Sequence, residues 1–159
     1  MQIKEKNKTY LCILVITILG LIFVFNIYAE QKYLGRLSTN KIASDSTSNP
    51  VGQYGNTVSS TSINNPVGQF GSSVSSNSAR NPLATNTPKL YSQDGKYLGK
   101  VSSNTLDPDS ISNPVGRYGS PVSADSVNNP VGRYGSPVSS ESANNPLATN
   151  APRIIYDEY

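Results

Sequence analysis

The sequence predicts a mainly β or irregular, turn-rich tandem repeat, made of 16-residue units in two 64-residue modules after an N-terminal hydrophobic helix. Three observations predict it. The chain matches itself without a gap when Lys96 is laid on Lys32, an Asn-Pro pair returns at a fixed short interval inside each match, and the long apolar run is confined to positions 1–29. Repetition at a fixed period is read before anything else, because it decides what kind of core is available. The domain organisation that follows is a signal peptide or membrane anchor at 1–29, one repeat module at 30–95 and a second at 96–159.

The N-terminal segment has the order of an export signal. Met1 to Thr9 is a short basic head with Lys4, Lys6 and Lys8 against Glu5, Tyr10 to Phe25 is almost purely apolar, and Ile27-Tyr28-Ala29 ends on a small residue. That order fits a secretory signal cleaved after Ala29. The run through Tyr28 is also about as long as a bilayer-spanning helix of roughly 20 residues, so residues 10–28 serve as a single-pass anchor if uncleaved. Either way the basic head stays inside and the rest is translocated. The expected location is secreted, periplasmic or cell-envelope.

The match between modules is explicit. Lys32-Tyr33-Leu34-Gly35 returns as Lys96-Tyr97-Leu98-Gly99, and Leu83-Ala84-Thr85-Asn86 returns as Leu147-Ala148-Thr149-Asn150. Within each module Asn-Pro falls at 49–50, 65–66 and 81–82, then at 113–114, 129–130 and 145–146. Apolar residues follow four of these prolines at fixed offsets, as in Val115, Tyr118, Val122 and Val127. Asn-Pro-Val-Gly carries the preferences of a type I turn, with Pro fixing φ and Asn closing a side-chain bond to the backbone. Asp107-Pro108-Asp109-Ser110 reads as a helix start with Asp107 as N-cap, stopped after one turn by Asn113-Pro114. Extended segments are expected at Lys89–Ser92, Lys96–Val101 and Arg153–Tyr156, with Tyr33–Ser38 as the partner of the second and a hairpin turn at Asp94-Gly95.

Two packings fit this pattern. In one, the units stack so that Val, Tyr and Val form buried columns, which places Val122 in a core. In the other, each module is a loop-rich ribbon closed by its own terminal strands. The high Ser, Asn, Gly and Pro content also suits a disordered linker, but the register of the apolar positions favours packing.

These residues resemble those of uncharacterised bacterial exported repeat proteins, which carry Tyr-Leu-Gly, Asp-Ser-x-Ser-Asn-Pro, Gly-x-Tyr-Gly-Ser-Pro and Asn-Asn-Pro units. The matching residues are Tyr97-Leu98-Gly99, Asp109 to Pro114, Gly116 to Pro121 and Asn128 to Pro130, with Arg153-Ile154-Ile155-Tyr156 similar to the closing strand. The resemblance spans nearly all of 32–156 and implies compartment and repeat type, not an activity. Val stands at 115, 122 and 131 where those proteins often have Tyr, which weakens any aromatic-ladder role.

Composition narrows the chemistry. There is no histidine, and Cys12, the one cysteine, lies inside the apolar run. The commonest general base and metal ligand is therefore missing, as are a cysteine nucleophile and zinc spacing in the exported part. No cofactor and no catalytic or metal residue is expected. Three of the thirteen basic residues sit in the head, so the remainder is close to neutral and carries no Lys/Arg cluster for nucleic acid. Asp107, Asp109 and Ser110 offer oxygens to calcium, yet too few for its six to eight ligands, and capping suits them better.

The expected function is a non-catalytic structural or adhesive repeat protein whose partner is unknown, a cell-envelope component or an extracellular protein or glycan. The alternative is a carbohydrate- or protein-binding module that uses Tyr54, Phe70, Tyr118 and Tyr134 as a row, with Arg117 and Arg133 beside two of them. N-terminal sequencing of protein recovered outside the cytoplasm should begin at Glu30. An intact Met1 in a membrane fraction would support the anchor, and soluble cytoplasmic protein would contradict both forms of export.

Overall fold

The computed structural model describes residues 30–158. The apolar segment 1–29, its expected helix and the Ala29 cleavage position lie outside the described residues. Among the described residues the chain is mainly strand and irregular, with no α-helix, and no helix is long and apolar enough to cross a membrane.

Four strands form one sheet: β1 (Glu30–Arg36), β2 (Lys89–Tyr91), β3 (Tyr97–Lys100) and β4 (Arg153–Glu158), in the order β1-β4-β2-β3. The expected hairpin is present. β2 pairs antiparallel with β3, and Ser92 N–H donates to Lys96 O at 2.9 Å across the turn. Gly95 sits there at φ +88°, a conformation that side-chain-bearing residues avoid. β1 and β3 occupy opposite edges, so β1 is not the pairing partner of β3; its neighbour is β4. Nor does either half of the repeat close on its own strands, because β2 pairs antiparallel with β4, with Leu90 opposite Ile154.

The long segments between strands are chains of overlapping turns. From Asn113, N–H groups donate backward at Gly116, Ser120, Ser123, Ser126 and Asn129 to Asn113, Gly116, Ser120, Ser123 and Ser126, at 2.9–3.4 Å. Four steps of three residues and one of four make the sixteen-residue spacing. At the four-residue step Gly119 comes so close to the chain that an added Cβ would lie 2.2 Å from Asn113 O. The Asp107 segment is one of these turns rather than a helix. Ser110 N–H donates to Asp107 O at 3.0 Å and Asp109 N–H to Asp107 Oδ1 at 2.9 Å, after which the chain enters the next turn.

In each Asn-Pro turn the first residue points inward and the next two, proline and Val or Leu, point outward. Asn49, Asn65, Asn81, Asn113, Asn129 and Asn145 are all buried. Each Oδ1 accepts the N–H two residues on, and each Nδ2 donates to the carbonyl six residues back. Ser46, Ser62, Ser78, Ser110, Ser126 and Ser142 are fully enclosed, and each Oγ accepts the N–H two residues on. Burying such groups is tolerable only because they are bonded.

Four apolar positions follow Pro50, Pro66, Pro114 and Pro130, and they divide in two. Those four and thirteen places after the proline face the sheet: Phe70, Ala79, Val127, Tyr134 and Ala143 join Leu34, Leu90, Leu98, Val101, Ile154 and Tyr156 in the core. Those one and eight places after it are corner residues in solvent, and Val122 is 85% exposed. Val122 is therefore not a core residue, against the expectation of buried columns: it shares the outer corner of its turn with the exposed Pro121.

This division sets the expected ranking of substitutions. In denaturant unfolding, Val122→Asp should change stability by no more than about 0.5 kcal/mol. Asn129→Ala orphans the carbonyl of Ser123 and the N–H of Val131, and should cost about 2–3 kcal/mol.

Candidate functional site

Of the aromatic residues expected to form a row, two are interior and two lie at the margin. Phe70 and Tyr134 are buried. Phe70 packs edge-on against Tyr156 at 5.0 Å, while Tyr134 lies under Lys96 and Arg133, 5.8 and 5.6 Å from its ring centre. Tyr54 and Tyr118 are half-buried and meet Tyr33 and Tyr97 edge-on, each at 5.2 Å. β1 and β3 supply those two partners from equivalent strand positions.

The arginines stand beside the aromatics. Arg117 Nε donates to Asp125 Oδ2 at 2.7 Å, and Asp125 also accepts from Lys96 Nζ. Arg133 pairs with Glu141. Lys96, Asp125, Arg133 and Tyr134 line an open groove of about 440 Å³ whose apolar margins are Val122 and Val131. The first half has Lys32, Gln53, Thr61, Gln69 and Asn77 at the positions equivalent to Lys96, Arg117, Asp125, Arg133 and Glu141. The second half thus carries a charged cluster where the first, apart from Lys32, has uncharged residues.

Lys96 lowers the Asp125 carboxyl below the ordinary carboxylate range by hydrogen bonding; burial opposes this and Arg117 adds to it. Lys96 is raised by the same bond. Asp125 therefore stays ionised through neutral pH and is a poor proton donor. At Asp107, burial pushes upward, but the N–H of Asp109 and the ammonium of Lys100 outweigh it and the carboxyl is lowered. Lys100 Nζ sits 2.9 Å from Asp107 and 3.7 Å from Asp109. The two carboxylates considered for calcium share the Lys100 ammonium, while Ser110 Oγ donates to Ser102 O. The equivalent pair in the first half is Arg36 with Asp45, bonded in a bidentate manner at 2.7 and 2.8 Å.

Sequence reasoning missed the exposed corners. Twelve large aliphatic residues are 81–90% exposed, among them Val51, Val58, Val67, Val115, Val122 and Val131. All twelve fall at the two outward positions of the sixteen-residue spacing. The signal was available in the proline before Val115, Val122, Val131 and Val138, since Pro at i+1 of a turn places the next residue at the other corner position. Scattered exposed aliphatics need no explanation, but a regular series of this size does.

Compared with family models, curated proteins and solved structures, the chain matches none of them.

The pH dependence of stability follows from the shifted groups. Asp125 is depressed in the folded chain, so its contribution is present above the unfolded value of about 3.9 and is lost as pH falls through the folded one. Burial, then Asp45, pushes Tyr33 up to about 12, so its contribution is complete below about 10 and is lost as pH rises toward the folded value. The melting temperature should be flat near neutrality and fall below about pH 4 and above about pH 10. Asp125→Asn should lower the plateau and flatten the acid limb. An acid limb unchanged by that substitution would mean that other carboxylates govern it.

Proposed function

We propose that the protein is an exported structural or adhesive repeat protein, non-catalytic, built from 16-residue units in two 64-residue modules behind a hydrophobic N-terminal helix. The regular series of exposed aliphatic corners carries this reading. A polar interior closed by hydrogen bonds frees the aliphatic residues for the surface, where removing them from water on contact stabilises by about 25 cal/mol per Å². Twelve small contacts of that kind, spaced by the backbone, suit a broad apolar surface better than a compact ligand.

The burial of Phe70 and Tyr134 supports a packing role for the aromatics over a sugar-stacking row. The groove of Lys96, Asp125, Arg133 and Tyr134 favours the second reading, a protein- or glycan-binding module, because it differs between otherwise matching halves.

The two readings separate in one experiment on cells displaying the full chain. Replacing Val51, Val58, Val67 and Val74 together by serine, none of which lines the groove, should abolish attachment to a hydrophobic surface while leaving the thermal melt of the purified protein unchanged. Attachment that survives this change but is lost in Arg133→Ala would favour the groove. Attachment unaffected by either would contradict adhesion through this chain.

A further inference from the structure

The strands alternate between the two halves of the sequence. β1 and β2 belong to residues 30–95, β3 and β4 to residues 96–159, and the sheet order is β1-β4-β2-β3. Each neighbouring pair therefore joins one half to the other. The centre is self-complementary: β2 and β4 occupy equivalent positions in the two modules and pair antiparallel, with Leu90 facing its own equivalent, Ile154. Flanking bonds repeat the relation. Val101 N–H donates to Pro88 O at 2.7 Å, and Leu37 N–H, the counterpart of Val101 in the first half, donates to Pro152 O at 2.9 Å. Lys89 and Gln31 both reach Asp157, at 2.5 and 3.0 Å.

The covalent link across this extensive interface is small. It is the exposed turn between Ser92 and Lys96, where Gly95 holds φ +88° and an added Cβ would touch nothing within 4 Å.

We propose that two copies of this chain exchange halves, with the link at 92–96 opening so that residues 30–91 of each copy pair with residues 97–158 of the other. The partner is a second copy because the exchanged surface is already complementary to the chain's own other half, in register, charge and apolar centre. The exchanged pair remakes the sheet contacts of the closed form and differs only at the link, the condition under which swapping is cheap. The outer edges do not compete for the partner. Arg36 and Lys100 on β1 and β3 are each bridged to the turn that follows, at Ser46 and Ser110. This inference stands apart from the adhesive reading, since it uses the sheet and not the corners.

Gly95 is the point of control. A β-branched residue is strained at that φ in the closed turn, where its Cβ meets nothing within 4 Å, and is unstrained in an extended link. The test is the full chain in detergent, refolded over a range of concentrations, with mass measured by light scattering. Gly95→Val should raise the association constant roughly a hundredfold, about tenfold for each of the two links, and keep the wild-type far-UV spectrum. Deleting Asp94 and Gly95 together should leave dimer without monomer. Gly95→Val that stays monomeric at every concentration overturns the proposal. So does a deletion variant that is a folded monomer or is unfolded, because the exchanged form needs no turn. Dimer that disappears when Val115, Val122 and Val131 become serine arises from the corners and also overturns exchange.

Discussion

The bond from each inward asparagine amide to the carbonyl six residues back is the constraint on which the fold depends. It ties one turn to the turn two steps earlier, while the same side chain's oxygen holds the N–H two residues on. A backbone made of turns has no ladder to satisfy its polar groups, and unpaired buried groups are costly. The asparagine and serine interior supplies the missing partners, and the proline that follows limits the entropy lost in forming each corner. The composition that would ordinarily suggest disorder is therefore the composition this interior requires.

A second asparagine joins successive turn segments. Asn128 Nδ2 donates to Ile111 O and Gly119 O, and Asn144 Nδ2 to Val127 O and Gly135 O. Each reaches across to the preceding segment. Where no such segment precedes, at Ser48 and Ser112, serine stands instead. At Arg80 the guanidinium takes over by bonding Asn64 Oδ1 at 2.9 Å. With segments joined by polar bonds, the apolar demand falls on the seam against the sheet alone. That seam holds Phe70, Val127, Tyr134 and their neighbours, and leaves two of every four aliphatic or aromatic positions in water.

Much of this was legible in the sequence, and the failures share a cause. The Asn-Pro turns, the hairpin at Asp94-Gly95 and the strands near Tyr33, Lys89, Tyr97 and Arg153 follow from local residue chemistry. The facing of Val122 did not, because an apolar residue at a fixed spacing suggests burial, whereas its position in the turn governs its direction. The Asp107 helix failed because a cap residue serves a turn as readily as a helix. The pairing of β1 with β4 was invisible locally, since nothing in Tyr33-Leu34-Gly35 distinguishes a partner in its own half from one in the other. The Lys96, Asp125 and Arg117 cluster was half legible: Arg117 stood out beside Tyr118, but its carboxylate partner required the fold.

Amide hydrogen exchange tests the central claim most directly, because it separates the turn segments from the sheet residue by residue. If the inward asparagines hold the structure, the N–H groups of Val115, Asn129 and Val131 should exchange through the same cooperative opening as those of Leu90 and Ile154, with comparable protection. Fast, unprotected exchange at those turn amides, beside a protected sheet, would contradict the account and leave the sheet as the only ordered element.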